Sequence, residues 1–293
     1  MKFLKYIILP LSFVYGLAAK QVAISVIAHH PSLERIQAGI EDVLKDYDPS
    51  IKIIVDNANG NPTTAAQIAT KMISKKPDVL VGIGTLAAQT LHGANNGKIP
   101  LVFSAVTDPY TAQLIPKTGR PEHPITGSID LPPTRDQVIF MKEQFPHVKT
   151  IGILYNPGEV NAISQIQAFE DEAHTYKILK APAVKTVDVL ESGKKLAPQV
   201  DLLYIPNDNT VVSAIEAVVQ VANQANIPVF TSDPESLERG ATAALAHDQY
   251  DIGVKTGELI VRILKGENAQ DIPVIDTFNL IKVNKQTCPA KKH

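Results

Sequence analysis

Six short segments carry the residues able to grip a small polar molecule: "AHHP" (28–31), "GIGT" (82–85), "SAVTDP" (104–109), "YNPGEVN" (155–161), "PNDNT" (206–210) and "TSDP" (231–234). Between them they offer His30, Thr85, Ser104, Thr107, Asp108, Tyr155, Asn156, Glu159, Asn161, Asp208, Asn209 and Asp233. These side chains hydrogen-bond and pair charge, yet they form no catalytic set. The chain has no G-x-S-x-G elbow, H-E-x-x-H helix, P-loop or catalytic Cys, so no enzyme is expected. Adjacent His29 and His30 cannot share one face of a helix or strand, and no acid or Cys follows at ligand spacing, so no metal or cofactor is expected either.

Each segment also has a plainer reading. Gly82, Gly84 and Ala87 match G-x-G-x-x-A between a strand and a helix, but the acid that a dinucleotide ribose needs after the next strand is missing. A helix N-terminus receiving an anion on its free N–H groups, helped by the Thr85 hydroxyl, suits the segment better; Thr85 as a simple helix cap remains open. Asp108 and Asp233 precede prolines and fit helix starts as well as a ligand. The run Asn207, Asp208, Asn209, Thr210 exceeds what one cap requires, so Asp208 is the first choice for an ammonium partner and Asp233 the second. Glu159 fits a helix dipole equally well.

These segments all fall where strands end. "QVAISVIA", "IKIIVDNA", "PDVLVGIG" and "IPLVFSAV" are apolar runs of strand character, separated by helical patterns such as Leu33, Ile36, Ile40, Val43 and Leu44. After a Pro- and Gly-rich boundary, "KTGRPEHPITGS", the order restarts with "VKTIGILYN", a helical stretch over 163–176, "VDLLYIP", a helix over 210–225, and "IPVFTSDP". Landmarks recur at nearly fixed distance: Pro31 to Pro157 is 126 positions, Asp78 to Asp201 is 123, Pro100 to Pro228 is 128, and Asp108 to Asp233 is 125. Alternating strands and helices favour parallel sheets with right-handed crossovers. The expected fold is therefore α/β, with two Rossmann-like lobes whose strand ends face a shared cleft.

The chain has 293 residues, 28 basic and 30 acidic, so nothing in its charge suggests nucleic acid. Lys2 and Lys5, the apolar 6–17 and the small residues at 16–19 read as an export signal cleaved near Ala18 or Ala19, too short to cross a bilayer. Cys288 is the sole cysteine, which precludes an internal disulfide and leaves no lipid-attachment Cys behind the signal. A freely soluble periplasmic protein is expected.

"DNANGNPTTAAQIATKMISKKPDVLVGIGTLAAQTL", "IPLVFSAVTDPYTAQLI", "IGILYNPGEVNA", "VDLLYIPNDNTVVSAIEAVVQVANQANIPVFTSD" and "GATAALAHDQYDIGVKTGELIVRILKGE" resemble the ABC transporter substrate-binding proteins whose better-known members bind tryptophan or tyrosine. The likeness spans nearly the whole chain after the signal. It implies the type I periplasmic-binding architecture with three hinge crossings, dividing the chain into a signal at 1–19, a first lobe at 20–126 and 249–266, and a second at 127–248 and 267–293. It implies a monomer working with an ABC permease and ATPase, and an α-amino acid, aromatic or large and apolar, bound by clamshell closure. A sensor module feeding a membrane receptor, or a different small solute such as a sugar or nucleoside, is the alternative. By resemblance, Thr85 and the hydroxyls of 104–107 hold the ligand carboxylate, while Asp208 or Asp233 holds its ammonium. Tyr155, Phe103, Tyr110, Phe230 and His30 are the aromatic candidates to pack on it.

Overall fold

The computed structural model describes residues 19–285; residues 1–18 of the expected export signal, and Cys288, lie outside the described residues. The first sheet is built from β1 (Gln21–Val26), β2 (Lys52–Asn57), β3 (Val79–Ile83), β4 (Leu101–Val106) and β5 (Ile125–Ile129), in the order β2-β1-β3-β4-β5, all parallel. Helices α1 (Pro31–Tyr47), α2 (Pro62–Ser74) and α3 (Thr85–Asn95) connect its strands. The apolar runs read from the sequence are these strands, and their two covered faces explain why they do not alternate with polar residues.

The second lobe repeats the winding. It contains α4 (Thr134–Gln144), β6 (Thr150–Tyr155), α5 (Val160–Glu172), β7 (Lys177–Pro182), α6 (Val189–Leu196), β8 (Leu202–Ile205), α7 (Asn209–Ser213), α8 (Ile215–Ala225), β9 (Val229–Thr231) and β10 (Ala243–His247). After α9 (Gln249–Leu264), β11 (Leu280–Asn284) adds an antiparallel edge, giving the order β11-β10-β9-β8-β6-β7. Setting β6–β10 against β1–β5 makes the two orders the same, and "IPLVFSAVTDP" and "IPVFTSDP" become the corresponding strands β4 and β9. In both lobes the chain switches direction beside the first strand, which opens a crevice at the carboxyl ends.

The division between lobes differs from the expected one at both ends. The boundary placed at 126/127 falls inside β5, whose pairing with β4 carries the first sheet to Ile129. The segment after residue 266 does not move directly to the second lobe. Ile275 donates its N–H to Gly127 and accepts from Ile129, and Ala269, Ile272 and Phe278 are buried in the first core. The chain therefore crosses at Asp130, at His247–Gln249 and just before Leu280. The single helix expected over 210–225 is broken at Ala214, where the Arg239 guanidinium takes the carbonyls of Val212 and Ser213. Strand β5, helix α4, strand β7, helix α6 and strand β10 were not anticipated.

Helix α9 closes the first lobe by lying against α1, with Ile252, Leu259, Ile260 and Ile263 in the same core as Ile36, Ile40 and Leu44. The approach is close because both helices present glycine: a Cβ on Gly253 would sit 2.2 Å from the Ile36 carbonyl oxygen, and one on Gly39 would sit 2.6 Å from that of Tyr250. Those obstacles are helical backbone and cannot give way. Gly253→Val should therefore cost roughly 3 kcal/mol of stability through overpacking, read by denaturant unfolding; an unchanged midpoint would contradict this packing.

Candidate functional site

The strand ends of the two sheets face one another across a narrow cleft whose enclosed cavity is about 40 Å³. Its first-lobe wall is made by His30, Ser32, Leu33, Gly84, Thr85, Ala105 and Thr107; Asn161, Asn207, Asp208, Asn209, Val212 and Asp233 form the opposite wall, and Asp130 and Gln249 sit at the hinge.

On the first wall, β3 ends in Gly84 at φ 87°, and a Cβ there would lie 2.5 Å from Ile27 Cγ2, so only glycine fits this turn. Helix α3 starts immediately after it with no side-chain cap, leaving its first-turn N–H groups directed at the cleft. Thr85 is 2 % exposed, and its hydroxyl has no hydrogen-bond partner within the protein. Strand β4 bulges between Phe103 and Val106, placing Ala105 at φ 54°, a conformation that costs an alanine about 1 kcal/mol or more and turns the strand end into the cleft. His30 is buried in the extended residue before α1. Desolvation, the largest influence on it, lowers its pKa, so the ring is neutral. Its Nε2 lies 3.3 Å from Asn209 Oδ1 across the cleft, and its Nδ1 is unpaired.

On the second wall, Glu159 orders the loop that follows β8. It accepts from the backbone and side-chain nitrogens of Asn209 and from both the N–H and hydroxyl of Thr210. Asp208 is wholly buried and caps α7 through Val211 N at 2.9 Å, while also receiving Asn156 N. Burial, followed by the Glu159 charge, raises its pKa well above the ordinary carboxylate value. Asp233 caps the turn at Pro234–Leu237 through Ser236 N at 3.0 Å. Below them, Gln165 receives Asn207 N at 2.7 Å and donates to Tyr204 and Ser232, which fixes the loop to the buried interior.

Of the residues expected from sequence, His30, Thr85, Thr107, Asn161, Asp208, Asn209 and Asp233 meet at this cleft. Asn156 and Glu159 line its larger outer mouth instead, with Asn161 and Asn209 shared by both. Ser104 lies outside, buried within 2.9 Å of Thr256 Oγ1 beneath β4. Asp108 is turned away, accepting from Tyr110 N and Thr111 N. Tyr155 packs on the second-lobe core. Phe103 and Phe230 are fully buried in the two cores and Tyr110 is exposed, so His30 is the aromatic ring at the inner cleft among the described residues. Sequence reasoning missed Ser32, Asp130 and Gln249, and singled out Asn207 only as part of its loop. Asp130 stands two residues past the boundary segment, at the end of a strand that was not anticipated, and Ser32 falls in the first turn of a helix read only for its apolar face.

Contacts across the cleft hold the lobes together. Ser32 donates to Asp233 and, at 2.9 Å, to Glu235, while Arg35 Nε approaches Glu235 Oε1 at 3.2 Å.

A family model described as ABC transporter substrate binding protein matches residues 21–289. A tyrosine-binding protein of Clostridioides difficile is 33% identical over 279 residues, covering 92% of this chain and 80% of the relative. Among solved structures, an ABC domain from Streptococcus pneumoniae in complex with L-tryptophan is 31% identical, with TM-score 0.85 over 90% of this chain and 91% of that one. A ligand-free, open substrate-binding protein with adhesive properties from Clostridium difficile is 30% identical over 90% of this chain and 92% of that one, and its TM-score is 0.66.

The latch at Glu235 gives a pH signature. Burial first and the Asp233 charge second push its carboxyl from 4.5 up to about 7. A raised folded-state value means the folded protein binds this proton more tightly than the unfolded chain. Its stabilisation is complete below 4.5 and lost as pH rises through about 7. Glu235→Gln should remove that component, so its Tm relative to the parent should rise between about pH 5 and pH 8. A difference in Tm that does not vary with pH would contradict the assignment.

Proposed function

The chain belongs to the ABC transporter substrate binding protein family, a family of non-enzymatic solute binders that work outside the cytoplasm, and from that premise we propose that it captures an α-amino acid between its lobes for import. The observation that carries this reading is the charge arrangement of the cleft. Asp130, Asp208 and Asp233 line it without a Lys or Arg among the described lining residues, while an uncapped helix start and an unpaired threonine hydroxyl face them. A zwitterion complements both walls: its carboxylate takes the α3 N–H groups and Thr85, and its ammonium takes the acidic side. A neutral sugar would leave the carboxylates without a counter-charge.

The names of the relatives favour an aromatic or large apolar amino acid. The outer mouth gives a side chain of that size somewhere to go, since Ile27, Leu86, Val160 and Val184 line it. The two TM-scores, obtained at nearly equal identity, support reading the described arrangement as the closed state. Ligand bonded to both walls gains contacts that an open cleft lacks, so it shifts the population toward closure. The closed surface is what a membrane permease and its ATPase would recognise, with the binding protein acting as a monomer in the periplasm after loss of residues 1–19. No helix among the described residues is long and apolar enough to cross a membrane.

Calorimetry against the proteinogenic amino acids should show tight binding of tyrosine or tryptophan and none of neutral hexoses; the reverse pattern would overturn the reading. Thr85→Val keeps the side-chain shape without the hydroxyl, and should weaken amino-acid binding about tenfold, the value of one well-made hydrogen bond to a charged group. Unchanged affinity would remove Thr85 from the carboxylate site.

A further inference from the structure

Three carboxylates line the cleft, and two of them have a structural task. Asp208 receives the N–H groups of Val211 and Asn156, and Asp233 receives that of Ser236. Asp130 has no such task. Residues 131–133 continue as Leu-Pro-Pro without a helical turn, and its side chain caps nothing. It is nonetheless 4 % exposed, and every side chain that holds it comes from a different part of the molecule.

His247 Nδ1 lies 2.9 Å from Asp130 Oδ1. Asn207 Nδ2 donates to Oδ2 at 3.0 Å, and Gln249 Nε2 stands 3.4 Å from the same oxygen. Asp130 occupies the first crossing between lobes, His247 and Gln249 the second. Phe278, on the third, has its ring centroid 5.3 Å from that of His247. Asn207 belongs to the second-lobe wall. One carboxylate thus touches or is one contact from all three crossings while facing the ligand space. Asp130 is held by two amides and the His247 imidazole, with no Lys or Arg among its described partners, and a buried carboxylate so held gains from a cation arriving to meet it. Two buried polar atoms that lack partners, Thr85 Oγ1 and His30 Nδ1, line the same cavity.

We propose that Asp130 is the residue that receives the ligand's ammonium, and that through this contact ligand occupancy sets the hinge. The assignment rests on the amino-acid reading above and narrows it: the cationic end lies at the hinge, with the second-lobe aspartates retained as helix caps. A ligand ammonium at Asp130 locks the carboxylate toward His247 and Asn207, fixing the first and second crossings relative to the second-lobe wall.

The test compares L-tyrosine and L-tryptophan with their deaminated counterparts, 3-(4-hydroxyphenyl)propionate and indole-3-propionate, on the full-length parent and on Asp130→Asn, with circular dichroism checking the fold. Asp130→Asn should lose at least about 10²-fold in affinity for the amino acid while leaving the weak binding of the deaminated acid unchanged, as expected when one member of a buried charge pair is removed. Asp208→Asn should retain more affinity than Asp130→Asn. A parent that binds neither amino acid overturns the amino-acid reading and this assignment with it. A parent that binds them, with Asp130→Asn binding equally well, overturns the assignment alone. Should Asp130→Asn fail to fold, a structure of the parent with its amino acid decides: ammonium within about 3 Å of Asp130 supports the proposal, and ammonium on Asp208 or Asp233 instead refutes it.

Discussion

Facing two lobes across three buried carboxylates, with no Lys or Arg among the described lining residues, is the constraint on which the rest of this molecule depends. Each buried carboxylate carries a desolvation penalty, and its described partners are N–H groups, amides, hydroxyls and the His247 imidazole, with the neutral His30 ring beside them. The penalty shows at Asp208, where burial first and the Glu159 charge second raise the pKa well above the ordinary carboxylate value. It favours a ligand bearing a positive charge and disfavours closure without one. On the proposed reading selectivity and motion have the same origin, because the solute that best neutralises the cleft is also the one that holds it shut.

The scaffold meets this constraint by using one winding twice. Matching strand orders place two crevices mouth to mouth, and the helix starts at both rims supply N–H groups where anions or capping carboxylates are needed. The rigid parts are the cores: α9 locked against α1 by glycine contacts, and the Gln165, Tyr204, Ser232 and Gln137 network under the second wall. The adjustable parts are few, being the three crossings and the contacts from Ser32 and Arg35 to the second lobe.

The doubled architecture was legible in the sequence because buried parallel strands are continuous apolar runs and their turns carry Pro, Gly and Asp at repeating distances. Elements with mixed patterns were not: β7 carries Lys177 and Lys180 within an edge strand, and α4 leaves Ile139 exposed, so neither has a clean period. At the site, the segments were legible but their side-chain directions were not. A strand covered on both faces gives no alternation to show that Ser104 turns toward Thr256 while Thr107 reaches the cleft. Helix caps and ligand-binding acids use the same residue, so Asp108, Asp208 and Asp233 were indistinguishable by type. Asp130 was hidden for the opposite reason, since it stands at the end of β5, a strand that the sequence did not reveal because most of it falls in the Pro- and Gly-rich boundary segment. Its one signal was that no helix follows it closely enough to be capped.

The central claim is that an amino acid closes this clamshell, and a distance across the cleft tests it most directly. Spin labels at Thr63→Cys and Val187→Cys, both exposed and next to Pro62 and Thr186, which line the outer mouth from the two lobes, would report that distance in a Cys288→Ser background. Adding L-tyrosine or L-tryptophan should replace a long, broad distribution with a short, narrow one, while a neutral hexose should leave it unaltered. A distribution that stays the same with bound amino acid would contradict the account.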